Sequence, residues 1–197
     1  MTNIALFGPP GAGKGTQSKE LTQKYRLVHI APGDLLRDQI NQKTVLGQQV
    51  AQYINVGKLA PDALVIDIVE AQLVAKDNGD GILFDGFPRT STQAKALEER
   101  LVRYGIHIDV VVFLEVPEEE LIQRIRSRAE IAGRVDDQDA AKIATRMRIY
   151  HDTTLPVAKY YAQQNKLVKV CGSGAVDVIF KRIVAAMGKL SVMPALK

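Results

Sequence analysis

Cysteine is almost absent from this chain. Cys171 is the only one, so no internal disulfide can form, and no Cys/His cluster offers a zinc site. No apolar run approaches the roughly 20 residues that a membrane-spanning helix needs, so no membrane partner is expected. Lysine and arginine exceed aspartate and glutamate only by 26 to 22, a net charge of +4. No block of five or six like charges occurs, so an arm or tail for nucleic acid is not expected either. The start shows no basic region followed by an apolar stretch. A first strand is expected almost at Met1 in place of a signal peptide. Internal repeats, low-complexity segments and an interdomain linker are all missing. The expectation is a cytoplasmic protein with one domain over 1–197.

What is present is an alternation. Apolar residues make up 46% of the 197 and charged residues 24%, as in ordinary globular chains. Short apolar runs at Ile4–Phe7, Leu27–Ile30, Gly81–Asp85, Val110–Leu114 and Leu167–Val170 predict strands buried on both faces of a parallel sheet. The stretches between them are long enough for crossover helices, which predicts a three-layer α/β fold. Two stretches break the alternation. From Asp34 to Lys76 several helical patterns predict a small helical subdomain. From Ala129 to Gln138 a polar segment with Gly133, Arg134, Asp136 and Asp137 predicts a flap between two helices. Both would lie beyond the carboxyl ends of the strands, where open α/β sheets bind ligands. The arginines are spread singly, often just after expected strands or at helical spacing. That suits a site converging on a small polyanion.

Directly after the first expected strand the chain reads Gly8-Pro-Pro-Gly-Ala-Gly-Lys14-Gly15-Thr16, and a helical pattern follows. The spacing of Gly8, Gly13 and Lys14 fits a P-loop. Glycines let backbone N–H groups turn inward around phosphate oxygens, the helix N-terminus adds partial positive charge, and the lysine reaches the outer phosphates. The alternative is a glycine-rich turn without a ligand, but strand, loop and helix are the context that supports the motif. The residue after Lys14 is Gly15, with Thr16 one later, a departure from the usual Ser or Thr. Asp85 ends the third expected strand and is placed to hold magnesium directly or through its water. A helix cap is the bland reading of that residue taken alone.

The segments GPPGAGKGT, PGDLLR and DGFPRTSTQ and the run from Arg124 to Arg134 make this chain similar to the adenylate kinases, in order and spacing from Met1 to about Gly188. The resemblance implies a P-loop α/β fold with a five-stranded parallel sheet, a monophosphate-binding helical subdomain over 31–60, a short lid over 129–138 and a C-terminal tail over 189–197. It implies a monomer that reversibly transfers a phosphoryl group from ATP to AMP, with magnesium, giving two ADP. On the ATP side it implies Gly11, Ala12, Gly13, Lys14, Gly15, Thr16, Arg124, Arg128, Arg134 and Gly174. On the AMP side it implies Pro32, Arg37, Lys58, Leu59, Gly86, Arg89, Gln93, Arg134 and Arg146. Asp85 would reach the magnesium through water. The catalytic set would be Lys14, Arg89, Arg124, Arg128, Arg134 and Arg146, with Asp136 and Asp137 steering the arginines.

Several of these residues make physical sense by themselves. Arg89 and Gln93 are four apart at the start of an expected helix and share a face. Arg89 can fork onto a phosphate, and the donor and acceptor of Gln93 suit an adenine edge. Arg124 and Arg128 share a helical face, while Arg126 points elsewhere. Without the resemblance, a solvated, salt-bridged helix explains such arginines as well. The interval from Arg134 to Arg146 is one residue longer than usual, which leaves Arg148 as the alternative. Glu118, Glu119 and Glu120 follow Pro117 as expected of a helix start and carry no expected chemistry. Neither do His29, His107 or His151, because a phosphate oxygen of AMP is already ionised and needs no general base.

Other readings are a UMP or CMP kinase, a P-loop kinase for a small molecule such as shikimate, a GTP-dependent switch and an RNA-binding protein. Relatives acting on UMP or CMP carry Asn at the place of Gln93. A shikimate-type kinase lacks the Arg89/Gln93 pairing. The switch needs guanine-reading and DxxG motifs absent here, and no aromatic-rich RNA motif is present. One departure bears on the base: adenylate kinases usually read Ser-Thr-Gly-Asp where this chain has Ala31-Pro32-Gly33-Asp34.

Overall fold

The computed structural model describes residues 2–75, 80–132, 135–137 and 139–189. Five strands, β1 (Ile4–Phe7), β2 (Val28–Ile30), β3 (Ile82–Asp85), β4 (Val110–Glu115) and β5 (Leu167–Cys171), form one parallel sheet in the order β2-β3-β1-β4-β5. Nine α-helices connect them among the described residues. They are α1 (Lys14–Tyr25), α2 (Pro32–Asn41), α3 (Val45–Ile54), α4 (Asp62–Val74), α5 (Ser91–Arg103), α6 (Glu118–Ala132), α7 (Ala140–Ile149), α8 (Leu155–Gln163) and α9 (Val176–Gly188).

The strands are apolar throughout because both sheet faces are covered. Side chains alternate across a strand, and here the alternation sorts them into two cores. Ala5, Phe7, Ile82, Phe84, Val111 and Phe113 pack with α4, α5 and α8 on one side. Ile4, Leu6, Leu83, Val110, Val112 and Leu114 pack with α1, α6 and α9 on the other. Fully burying one such side chain contributes about 1.5–3 kcal/mol. Parallel pairing sends every strand the same way, so the segments after Phe7, Ile30, Asp85, Glu115 and Cys171 meet along one edge of the sheet.

The insert between β2 and β3 is α2, α3 and α4. The sequence pattern puts a helix start near Asp34, but α2 begins at Pro32. Proline is well placed in a first turn, where its missing N–H has no helical partner to lose. Within 129–138, residues 129–132 are the last turn of α6 and Val135–Asp137 form a 3₁₀ turn. A π-helical turn, Tyr150–Thr154, joins α7 to α8. Pro156 in the first turn of α8 offers no N–H to the turn before it. No helix among the described residues is long and apolar enough to cross a membrane.

Candidate active site

The loop after β1 turns through Gly8, Gly11 and Gly13, all at positive φ, and Gly13 caps the N-terminus of α1. Gly11 is needed for closeness as well as conformation. A Cβ there would stand 2.8 Å from Leu121 O and 2.9 Å from Ile125 Cγ1, so the loop lies directly on α6. Ala12 is buried beneath it, and Gly15 and Thr16 are exposed at the start of α1. Lys14 Nζ donates to Gly8 O at 2.8 Å and Pro9 O at 2.9 Å. The ammonium thus sits inside the loop, where an anion would be cradled.

Burial above all, then the charges of Arg89, Arg128 and Arg146, push the Lys14 ammonium down from 10.5 to about 7, against the pull of Asp85. Between those values the folded protein holds lysine neutral while the unfolded chain holds it charged. The unfolded state then binds more protons, and this group adds stability as pH rises from 7 towards 10.5. A bound polyphosphate reverses the local field and recharges the lysine. Titrating nucleotide at about pH 8 in two buffers of different ionisation enthalpy is therefore expected to show net proton uptake of up to about one per site. Lys14→Met should abolish it; uptake unchanged in that variant would locate the proton elsewhere.

Asp85 ends β3 beside the loop, and its Oδ2 lies 3.3 Å from His29 Nε2. Burial would raise this carboxyl, but the His29 hydrogen bond and the Lys14 charge outweigh it and hold the group below its ordinary value. His29, given no role from sequence, is therefore a neighbour of the acid at the loop.

One cleft gathers most of the expected acceptor side. Pro32, Arg37, Lys58 and Leu59 come from the insert, Gly86, Arg89 and Gln93 from the β3–α5 turn and helix, and Arg146 from α7, and Lys14 lines the same cleft. Two arginines converge over Gly33: a Cβ there would lie 3.3 Å from Arg89 Nη2 and 3.5 Å from Arg37 Nη1. Arg89 Nε donates to Gly86 O at 2.6 Å, which fixes the plane of its guanidinium. Arg37 also pairs with Asp34 one turn back. Farther along, Leu36, Ile54, Leu59 and Val65 wall an apolar slot with Gln93 at its side. Gln93 is 2% exposed, and its amide is held by Arg89 N and Asp62. Asp62 was not singled out in the sequence.

The other side carries the remaining arginines. Arg128 grips Asp137 with two bonds, Nε to Oδ2 at 2.7 Å and Nη2 to Oδ1 at 3.0 Å. Arg146 pairs with Asp136 at 3.1 Å and also with Asp137. The two acids of the 3₁₀ turn thus hold two arginines from different helices. Arg146 lines the cleft, whereas Arg148 and Arg126 are exposed. Arg134 lies outside the described residues, as does 190–197 of the expected tail. Arg124 Nη2 donates to Glu120 Oε1 at 2.5 Å and to Gly172 O at 3.0 Å, while Ser173 Oγ donates to Glu120 Oε2 at 2.6 Å. Glu120 therefore ties Arg124 to the turn after β5, a link the helix-start reading of its sequence passed over. Gly174 is exposed in that turn at positive φ, and Arg182 Nη1 braces it through Ser173 O at 2.6 Å.

The insert touches α7 across the cleft. Gly57, at positive φ, has Arg146 Cγ and Lys142 O each 2.9 Å from where a Cβ would stand. Among the described residues no three His, Cys, Asp or Glu side chains cluster as a metal cage. Asp85 is a single carboxylate beside the phosphate loop. That donor set fits a magnesium ion carried by a polyphosphate, which keeps most of its waters and takes one or two carboxylates at most.

Comparison with known proteins agrees with this geometry. Residues 6–166 match the family model described as adenylate kinase. The adenylate kinase of Porphyromonas gingivalis is 43% identical over 189 residues, covering 96% of this chain and 97% of that protein. That of Phocaeicola vulgatus is 43% identical over 190 residues, 96% of this chain and 100% of that protein. That of Maricaulis maris is 43% identical over 185 residues, 94% and 98% of the two chains.

Proposed function

This chain belongs to the adenylate kinase family, nucleoside monophosphate kinases that move a phosphoryl group between ATP and AMP, and we propose that its own residues divide that work as follows. The phosphate loop and Lys14 hold the triphosphate, with Arg124 and the turn at Gly174 on its nucleoside side. Arg37 and Arg89 hold the AMP phosphate. Arg128 and Arg146, kept in place by Asp136 and Asp137, neutralise the group in transit, and Arg134 joins them. Gln93 reads the adenine edge. Asp85 would hold, through water, the magnesium that accompanies ATP, and the ion would offset the charge shared by the outer phosphates.

The observation that carries this reading is the convergence of Arg37 and Arg89 over Gly33, in the same cleft as Lys14. Two separate cationic centres facing one channel suit two anionic substrates brought end to end. Phosphoryl transfer is catalysed chiefly by such positioning and charge stabilisation. The AMP phosphate is an ionised nucleophile, so its oxygen attacks without losing a proton to the protein. Water must be kept from the reacting phosphate. The approach of the insert to α7 at Gly57 supports closure of the two sides over the substrates.

The test is to supply magnesium-ATP with each nucleoside monophosphate in turn and follow diphosphate formation. AMP should be the best acceptor; faster turnover of CMP or UMP would overturn the assignment of the base. We place the protein in the cytoplasm as a monomer, supported by the single exposed Cys171 and the family. Sedimentation that gives a dimer would overturn the second point.

Pro32 tests the departure in the acceptor loop. It is buried in the first turn of α2 and lines the cleft, with neither a hydroxyl nor an N–H to offer. Pro32→Thr restores a hydroxyl. The KM for AMP is expected to fall roughly two- to tenfold, the effect of one net hydrogen bond of about 0.5–1.5 kcal/mol, with kcat little changed. An unchanged KM would leave Pro32 with only its place at the helix start.

A further inference from the structure

We propose that Asp62 is a positioning residue for recognition of the acceptor base, acting through Gln93. The proposal rests on the reading of Gln93 as the group that meets adenine. A glutamine amide is nearly the same shape either way round, but turning it exchanges donor for acceptor. A residue that tells one base from another must therefore have its direction set by something else.

Two partners set it here. Gln93 Oε1 accepts from the backbone N–H of Arg89 at 2.7 Å, and Gln93 Nε2 donates to Asp62 Oδ1 at 2.8 Å. A peptide N–H can only donate and a carboxylate accepts. Turning the amide would set N–H against N–H and oxygen against oxygen. The carboxylate is itself anchored: Asp62 Oδ2 accepts from Thr90 Oγ1 at 2.8 Å, and Thr90, the cap of α5, accepts from Gln93 N at 3.1 Å. With Gln93 only 2% exposed, a turned amide has little water to fall back on, and each misplaced group would cost a full desolvation penalty.

The fixed amide leaves one N–H of Nε2 and one lone pair of Oε1 for a ligand. That pair answers adenine, which offers a ring-nitrogen acceptor beside an amino donor. Uracil, with a carbonyl where adenine has its amino group, presents the reverse and would demand the turned amide. Asp62 opens α4, the last helix of the insert, so the direction of the amide is also tied to where the insert sits.

The experiment measures kcat and KM for AMP and for UMP, and KM for ATP, in the wild type, Asp62→Leu, Gln93→Leu and the double variant. Leucine removes both acceptor oxygens, whereas asparagine would keep one facing Gln93. In Asp62→Leu the KM for AMP should rise about tenfold and the preference for AMP over UMP should fall by a similar factor, as when one hydrogen bond to a charged group is lost. The kcat with AMP and the KM for ATP should stay within about twofold. In the Gln93→Leu background Asp62→Leu should add nothing, because its effect runs through that amide. An unchanged AMP-to-UMP ratio in Asp62→Leu, or full additivity in the double variant, overturns the proposal while the acceptor assignment stands. A wild type that prefers UMP overturns both. If Asp62→Leu does not fold, nitrogen-15 spectra of the wild type decide. One Gln93 side-chain amide proton should resist exchange both with and without AMP; rapid exchange of both protons, or loss of that protection when AMP binds, overturns the proposal.

Discussion

Arg89→Ala is expected to leave a folded protein whose phosphoryl-transfer rate falls roughly a hundred- to thousand-fold, the usual consequence of removing one charged contact to developing negative charge. The fold should survive for a specific reason. The contacts of Arg89 that reach into the surrounding structure include two from its backbone, its N–H to Gln93 Oε1 at 2.7 Å and its carbonyl to Thr154 Oγ1 at 3.0 Å. Alanine keeps both. What is lost is the guanidinium that stands with Arg37 over Gly33. The KM for AMP should rise as well, since the same group holds its phosphate. Lys14→Ala should show a loss of similar size with the effect on the ATP side, because the ammonium sits within the phosphate loop. Near-normal turnover in both variants, with melting temperatures close to wild type, would sink the assignment of the cleft.

Two adenosines joined by five phosphates are expected to bind about a hundred- to ten-thousand-fold more tightly than ATP or AMP alone, the gain that linking two ligands brings when both sites can be engaged together. The geometry meets that condition. Lys14 and Arg89 line one continuous cleft, so a single phosphate chain can run from the loop after β1 to the arginines over Gly33. The bridging phosphates also place negative charge beside Arg128 and Arg146, whose positive charges bear on Lys14. Calorimetric titration checks this directly. An affinity no better than that of ATP would mean that the two nucleotide pockets do not adjoin. With Arg89→Ala the advantage of the linked ligand should shrink while the affinity for ATP stays nearly unchanged.

Much of the loop after β1 was legible because its geometry is local. Gly8, Gly13 and Lys14 act through one loop, and the spacing of a loop is visible in the chain. Arg124 and Arg128 lie one turn apart on α6, so periodicity pairs them. Arg89 and Gln93 were expected to pair the same way, but Arg89 precedes Thr90, the cap of α5, and meets Gln93 through its backbone N–H. The five strands were legible because burial on both faces leaves unbroken apolar runs; their ends moved by a single residue at most. The links that hold these groups in place were not legible. Asp62 meets Gln93 across 31 positions, Ser173 meets Glu120 across 53, and His29 meets Asp85 across 56. Each partner, seen alone, is an ordinary helix-start acid, a loop serine or an exposed histidine.

The sequence by itself determined the phosphate loop, the two-sided burial of the sheet, the family and therefore the reaction. These depend on spacing and on the periods of strand and helix, which any stretch of chain carries within itself. Only the tertiary structure decided that β3 lies between β2 and β1, which brings His29 beside Asp85. It also decided that Arg37 from the insert and Arg89 from the β3–α5 turn share one point over Gly33, that Arg146 and not Arg148 enters the cleft, and that the Gln93 amide faces one way. Periodicity says which face of an element is buried but not which element lies against it. That choice comes from how all the buried faces pack together at once, and the direction of one amide depends on that packing.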